Sequence, residues 1–239
     1  LETREMGKIL PEGLGDVQEA IDMTYYMAGE GRRLSGETVP SELPNKDMKS
    51  IRVPIGVFVL ITPWNFPIAI PAWKMAPALI TGNTVVVKPA SVAPLCTVGL
   101  IEALHEAGLP KGVLNMVTGS GGTIGDELIS NPAVKAVSFT GSCEVGNGIQ
   151  SKTVQRGIKT QLEMGGKNPT IVLRDSDLNM AADIVVNAAF FSTGQKCTAT
   201  SRALIEEPIF DEFVKLLVEK TRKLRVGNGM EKGGDMGPC

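Results

Sequence analysis

Residues 55–88 read IGVFVLITPWNFPIAIPAWKMAPALITGNTVVVK. Two runs in it, IGVFVLI (55–61) and TVVVK (84–88), are rich in β-branched residues with little polar interruption. Such runs read as buried strands. Between them, residues 70–80 have a helix-like composition. A strand, a helix and a second strand in this order predict an α/β domain with a largely parallel sheet. The same stretch could suggest a membrane span, because no charged residue lies between Val53 and Trp73. But Pro54, Pro63, Pro67 and Pro71, with polar Thr62 and Asn65, break a continuous helix there.

The alternation continues outward on the C-terminal side. An amphipathic helix at 94–108 leads to a strand at 113–119. A helix near 122–130 precedes a strand at 133–141, and a helix near 144–154 leads to 158–166. A strand at 168–173, a helix at 178–194, a strand at 202–207 and a helix at 208–224 with Pro208 at its start follow. On the N-terminal side, residues 16–33 carry Val17, Ile21, Tyr25 and Met27 at roughly helical spacing. Residues 36–53 are polar and turn-rich, as an exposed hairpin would be. Parallel α/β sheets bind ligands at the carboxyl ends of their strands, so the loops there are the first place to look for chemistry.

Composition narrows the function. The chain has 239 residues, 24 basic and 26 acidic, with a formal net charge of −2. That leaves no basic excess for nucleic acid. Four cysteines, Cys96, Cys143, Cys197 and Cys239, form no CxxC pair, and His105 is the only histidine. Neither a zinc site nor a disulfide framework is expected, and a reducing, cytoplasmic setting fits. The 27 glycines and 15 prolines are scattered, as tight turns require.

Three polar residues stand in the right kind of loop. Cys197, in FFSTGQKCTATSR, follows a helix and a glycine; a buried structural cysteine is the commoner fate, and a nucleophile beside Lys196 is the alternative. Glu163, in QLEMGGKNP, is either a solvated strand end or a general base at the sheet's edge. Asn65, in ITPWNFP, is either a turn-forming residue or an amide donor to an oxyanion. His105 reads as a solvated helix residue, so a Cys–His pair is poorly supported. Two strand–glycine–helix junctions, GSGGTIG (119–125) and FTGSCEVG (139–146), suit phosphate at helix N-termini, although plain turns share that appearance. The first lacks a strict GxGxxG: its third glycine comes one residue late, at Gly125.

Taken together, ITPWNFP (61–67), VVVKPAS (85–91), the Gly119–Gly125 loop, SFTGSCEVG (138–146), LEMGGKNP (162–169) and GQKCTATSR (194–202) resemble the aldehyde dehydrogenase superfamily, in that family's order. The resemblance implies NAD- or NADP-dependent oxidation of an aldehyde to a carboxylate. Cys197 would be the nucleophile, forming a thiohemiacetal and then a thioester. Asn65 and the backbone N–H of Cys197 would hold the oxyanion, and Glu163 would activate water. Ile61, Thr62, Pro63 and Trp64 would line the nicotinamide side. Lys88 would reach the adenosine ribose, and Ser91, unlike a glutamate, would accept a 2′-phosphate, so NADP is expected to serve. Gly121, Gly125, Phe139, Gly141, Ser142, Val145 and Gly165 complete the implied cofactor set, with no metal. Lys74 is either support for the site or a solvated helix residue.

The resemblance also implies boundaries and partners. Residues 1–35 and 54–165 would form a Rossmann-like dinucleotide-binding domain, 36–53 an oligomerisation hairpin, and 166–239 the first part of a catalytic domain. Family members have about twice this length, so the chain is expected to be a central portion of a homo-oligomeric enzyme. It would lack an E-x-F-G-P segment and a C-terminal oligomerisation strand. The sequence around STGQKCTATSR is similar to that of members acting on 2-oxoglutarate semialdehyde; succinate semialdehyde, lactaldehyde and betaine aldehyde are alternatives. Two rival functions remain open: a non-catalytic nucleotide-binding fragment, and a dehydrogenase that passes its thioester to coenzyme A. Glu163 argues against the second.

Overall fold

The computed structural model describes residues 1–238; Cys239, one of the four cysteines counted above, lies outside the described residues. In chain order the elements are α1 (Glu2–Met6), α2 (Leu10–Glu30), β1 (Thr38–Pro40), β2 (Asp47–Lys49), β3 (Val57–Ile61), α3 (Ala69–Ile80), β4 (Thr84–Lys88), α4 (Leu95–Glu106) and β5 (Leu114–Met116). There follow α5 (Gly121–Ser130), β6 (Val134–Gly141), α6 (Cys143–Gln155), β7 (Lys159–Met164), β8 (Asn168–Val172), α7 (Leu178–Phe190), β9 (Thr200–Ile205) and α8 (Phe210–Thr221). The chain divides into two compact units, Asp16–Glu163 on one hand and Leu1–Gly15 with the residues from Met164 onward on the other.

In the first unit, five strands form one sheet in the order β5-β4-β3-β6-β7. β3 pairs in parallel with both β4 and β6, and β4 in parallel with β5. The chain winds from β3 out to β5 and then returns to the other side of β3 with β6. The carboxyl ends of β3 and β6 therefore flank a topological switch point, where open α/β sheets hold their ligands. The successive residues Val59 and Leu60 are both buried, so β3 is covered on both faces, as its unbroken apolar run requires. Leu60, Val85 and Val87 pack with Met75 and Ala78 of α3, Ile101 of α4 and Leu114 of β5. β1 and β2 pair antiparallel and are exposed along their whole length, as the polar text of 36–53 predicts.

In the second unit, β8 and β9 form a parallel pair. Val172 packs with Ala182 and Val185 of α7 and with Phe213 of α8. Asp177 caps α7, its Oδ1 accepting the N–H groups of Asn179 (2.9 Å) and Met180 (3.1 Å).

Most expected elements are present with their ends moved by a few residues. Three differences stand out. The helix read over 16–33 starts at Leu10, because Pro11 stands in its first turn, where no N–H is needed. The helix read over 208–224 starts as a 3₁₀ turn over Glu207–Ile209, with α8 beginning at Phe210. Residues 1–15 group with 164–238, whereas the sequence reading joined them to the nucleotide-binding part. Their contacts explain this: the Leu10 N–H donates to the carbonyl of Gly229 (3.2 Å), and a Cβ at Gly237 would lie 2.0 Å from the Gly7 carbonyl oxygen. Pairing between chain ends leaves no local pattern in sequence.

Candidate active site

β3 delivers the loop 62–68 to the carboxyl edge of the sheet, and three contacts fix it. The Thr62 N–H donates to the Lys88 carbonyl (3.1 Å). The Thr97 hydroxyl donates to the Pro67 carbonyl (3.0 Å). The fully buried Asp16 carboxylate accepts the N–H of Ala69 at 3.0 Å, so α2 supplies the acceptor that α3 lacks at its own N-terminus. Asn65 sits half-buried in this anchored loop. The Thr62 hydroxyl is buried with no hydrogen-bond partner among the described residues.

A cleft of about 320 Å³ opens beside Ile61 at the end of β3 and Lys88 at the end of β4. Its walls are one face of each of two helices. Gly122, Gly125, Asp126 and Ile129 recur at the 3–4 residue spacing of an α-helix on α5, and Val145, Gly148, Ile149 and Lys152 do the same on α6. A Cβ built at Gly121, Gly122, Gly125 or Gly148 would meet no heavy atom within 4 Å, so these glycines keep the space open without being forced by their neighbours. Both helices begin at capped N-termini. Ser120 accepts the Thr123 N–H (3.2 Å), and Ser142 accepts the Val145 N–H (3.3 Å). Gly141 is glycine for a different reason, since a Cβ there would stand 2.5 Å from Cζ of the buried Phe139 ring.

Lys88 is buried, and its ammonium donates to the carbonyls of Pro89 (3.0 Å) and Gly119 (3.3 Å). Burial holds its pKa below the ordinary lysine value. The Ser91 hydroxyl, exposed to solvent, donates to the same Gly119 carbonyl (3.0 Å). Lys88 and Ser91 therefore converge on one oxygen, three residues apart in sequence and on the same side of the cleft mouth.

A second constellation lies on β7. Gln161 and Glu163 share a strand face by the two-residue period, and the Gln161 amide donates to Glu163 Oε1 at 2.9 Å. The Gln161 carbonyl accepts from Lys74 Nζ (3.1 Å) and from the Ser138 hydroxyl, and Lys74 Nζ also donates to Ser138 Oγ (2.8 Å). Lys74 is buried, which removes the solvated-lysine alternative. Burial pushes its pKa down to about 8, with the negative charge of Glu163 partly opposing that shift. Glu163 itself is exposed at the strand end.

In the other unit, Cys197 is exposed among the described residues; Cys96 is buried and Cys143 exposed. The Asn168 amide donates to the Cys197 carbonyl (2.6 Å) and to that of Ala199 (3.3 Å). Upstream of Cys197, Ser192, Thr193 and Gly194 all adopt left-handed backbone conformations.

Of the expected cofactor residues, Ile61, Lys88, Gly121, Gly125 and Val145 line the cleft. Thr62, Pro63, Trp64, Ser91, Phe139, Gly141 and Ser142 belong to the adjoining strand ends and turns without lining it. Gly165 falls in the second unit. The sequence reading missed Gln161, Ser138, Asp126, Ile129, Gly148, Ile149 and Lys152. Helical spacing from Gly125 and Val145 would have found the cleft residues, and the two-residue step back from Glu163 would have found Gln161. Ser138 and Lys74 meet only through the fold. Among the described residues, no cluster of His, Cys, Asp and Glu is arranged to hold a metal ion, and no helix is long and apolar enough to cross a membrane.

This is the architecture of a dinucleotide-binding α/β enzyme, with an open glycine-walled cleft at the carboxyl edge of a parallel sheet. The sequence pattern of the Aldehyde dehydrogenase family matches residues 1–239, and the chain belongs to that family. It is 49% identical over 236 residues to an alpha-ketoglutaric semialdehyde dehydrogenase of Bacillus subtilis, covering 99% of this chain and 48% of the relative. It is 45% identical over 240 residues to a 2,5-dioxopentanoate dehydrogenase of Saccharolobus solfataricus, covering 50% of it. The crystal structure of a betaine aldehyde dehydrogenase from Staphylococcus aureus, in complex with NAD+, superposes with a TM-score of 0.96 at 38% identity, over 99% of this chain and 47% of that one. The chain spans about half the length of the curated relatives it matches.

Proposed function

We propose that the protein carrying this chain oxidises an aldehyde, 2-oxoglutarate semialdehyde in the first instance, to a carboxylate through Cys197, with NAD or NADP as cofactor. The observation that carries the reading is the cleft beside Ile61 and Lys88, whose glycine-faced helices leave room for a dinucleotide and whose capped N-termini favour its phosphates. When bound, that cofactor supplies the hydride acceptor. Ile61, Lys88, Gly121, Gly125 and Val145 would hold it, with Ser91 at the adenosine end. The relatives named for alpha-ketoglutaric semialdehyde and 2,5-dioxopentanoate support the substrate.

The chain's own residues divide the work. The Cys197 thiolate adds to the aldehyde carbonyl, and the Asn65 amide and the Cys197 N–H stabilise the negative charge that develops on the carbonyl oxygen. Asn168 supports this by fixing the Cys197 carbonyl, which orients the peptide that follows the nucleophile. Glu163 takes a proton from the water that cleaves the thioester. Its carboxylate is oriented by the Gln161 amide, which cannot turn over without losing the bonds from Lys74 and Ser138 to its carbonyl. The β1–β2 hairpin, with Val39, Met48, Ile51 and Val53 exposed on and beside it, would serve self-association in the cytoplasm.

The test is a cofactor-reduction assay with 2-oxoglutarate semialdehyde, NAD+ and NADP+, on protein whose intact mass has been measured. Turnover is expected with the native protein and is lost by about a thousandfold or more in Cys197→Ala. Glu163→Gln is expected to keep the first-turnover burst and lose about a hundredfold in the steady state. Turnover by Cys197→Ala would refute the nucleophile assignment. A Glu163→Gln steady state equal to the native rate would refute the base. Restoration by coenzyme A of the native protein's otherwise absent turnover would replace hydrolysis with acyl transfer.

A further inference from the structure

We propose that Glu12 is a positioning residue for Cys197, acting through the backbone of the turn that precedes it. Glu12 lies in the first turn of α2, and its Oε1 accepts the N–H of Ser192 at 2.7 Å, across 180 positions of sequence. Its other oxygen, Oε2, is buried with no hydrogen-bond partner among the described residues. Both ends of this contact belong to the same compact unit.

The turn that Glu12 grips is strained. Ser192 (φ 50°, ψ 35°) and Thr193 (φ 56°, ψ 23°) occupy the left-handed region, followed by Gly194 at φ 68°. Glycine occupies that region freely, but a β-branched threonine does so at a cost and stays only where its surroundings hold it. Here the restraints are visible. The Ser192 carbonyl accepts from the Gln195 N–H (2.9 Å) and from the Thr193 hydroxyl (2.7 Å), which also lies 2.7 Å from the Gln195 side-chain oxygen. Gly194 has no alternative residue, because a Cβ there would lie 2.7 Å from the Ala189 carbonyl oxygen. From outside the turn, the Glu12 carboxylate restrains its start through a charge-assisted hydrogen bond to the Ser192 N–H.

At the other end, Asn168 holds the Cys197 carbonyl. The six residues from Ser192 to Cys197 are therefore fixed at both ends, by Glu12 from α2 and by Asn168 from β8. Without the Glu12 acceptor, the Ser192 N–H is left buried and unpaired, and the turn is free to relax out of its left-handed conformation. Cys197, five residues on, would then lose its set position. Small displacements of a nucleophile from its attack geometry cost rate steeply.

This inference rests on the reading of Cys197 as the nucleophile, so the experiment separates the two. On the protein carrying this chain, three variants are compared: Glu12→Ala, Glu12→Gln and Glu12→Ala/Thr193→Gly. The readouts are the first-turnover rate of cofactor reduction, the alkylation rate of Cys197 by iodoacetamide, and amide hydrogen exchange in the peptide spanning 191–195. Glu12→Ala is expected to lower the first-turnover rate by about tenfold to a hundredfold and to speed exchange in the 191–195 peptide, with cofactor affinity unchanged. Glu12→Gln keeps an acceptor oxygen and is expected to stay within about threefold of native. Thr193→Gly removes the cost of the left-handed conformation and is expected to recover part of the Glu12→Ala loss.

Native first-turnover and exchange rates in Glu12→Ala would overturn the proposal. So would a folded Glu12→Gln protein as slow as Glu12→Ala, because the acceptor would then not be what matters. Where Glu12→Ala fails to fold, the Glu12→Gln result alone decides, by the same threefold limit. If Cys197→Ser keeps full turnover, the nucleophile reading fails, and the exchange at 191–195 still reports whether Glu12 holds the turn.

Discussion

The two compact units solve the same problem, burying a parallel β-pair, in different ways. In residues 16–163, β3 has a partner strand on each side and helices over the sheet, and its successive residues Val59 and Leu60 are both buried. In the other unit, β8 and β9 pair only with each other among the described residues. One face of that pair packs Val172 against α7 and α8, while Ile171 and Leu204, opposite each other in the register, are 64% and 52% exposed. Parallel sheets are stable when covered on both faces. The first unit therefore has a core deep enough to hold its cleft in place by packing. Among the described residues of the second, Val172, Ala182, Val185 and Phe213 pack together, and Asn168 and Glu12 hold the backbone around the cysteine loop.

That contrast is broken most forcefully at Phe213, the largest fully buried side chain. Phe213→Ala is expected to cost about 3–5 kcal/mol, from the lost transfer term and the cavity left behind. The cost should be confined to one unit. Amide exchange in α7, α8 and β9 should accelerate, while exchange in β3 and β4 stays as in the native chain. Leu60→Ala should give the mirror image. Acceleration throughout the chain in either variant would show that the two units unfold as one.

The sequence showed the first unit far more fully than the second, and the reason is physical. TVVVK (84–88) and VFVLI are short unbroken apolar runs whose only stable setting is a covered strand, and β4 has the expected bounds. The helices of this unit follow from apolar periodicity and from the glycines and prolines at their ends. What periodicity does not carry is contact between distant parts of the chain. Lys74 looks like any helix lysine until α3 places it beside Ser138 and Gln161. Glu12 looks like a surface glutamate until the fold brings Ser192 to it. The grouping of residues 1–15 with 164–238 is of the same kind. Cys197, Glu163 and Asn65 could be proposed from the sequence because they stand in local motifs that a family repeats, whereas contacts such as those of Lys74 and Glu12 leave no local motif.

Lys74 gives the second test, because burying its ammonium makes the first unit's stability depend on pH. Its pKa is about 8 in the folded chain, against an ordinary value of 10.5. Between those values the unfolded state binds the proton and the folded state does not, so folding stability rises with pH across that window. The full rise is on the order of 3 kcal/mol. Urea melts of the native chain and of Lys74→Met, taken at pH 7.5 and pH 10, isolate the term from other titrations. The native chain should gain on the variant as pH increases, and an unchanged difference would mean that Lys74 keeps its proton in the folded state.

The smallest effect concerns the mouth of the cleft, where Ser91 and Lys88 share the Gly119 carbonyl. An acidic residue near the adenosine end of a dinucleotide site hydrogen-bonds the ribose 2′-hydroxyl and repels a 2′-phosphate. Ser91 is exposed, so a carboxylate introduced there would be solvated, and the repulsion would act across a high dielectric. Ser91→Glu should therefore weaken NADP+ binding by about tenfold and leave NAD+ within about twofold, measured by fluorescence titration. Because the interaction is between exposed charges, the discrimination should shrink as ionic strength rises past about 0.15 M. Equal weakening of both cofactors would place the effect in the shared Gly119 contact, through loss of the serine's hydrogen bond, and not in charge. A change confined to NADP+ and suppressed by salt would place it at the 2′ position, and would show that this unit's rigid core lets a single exposed side chain set cofactor preference without disturbing the fold around it.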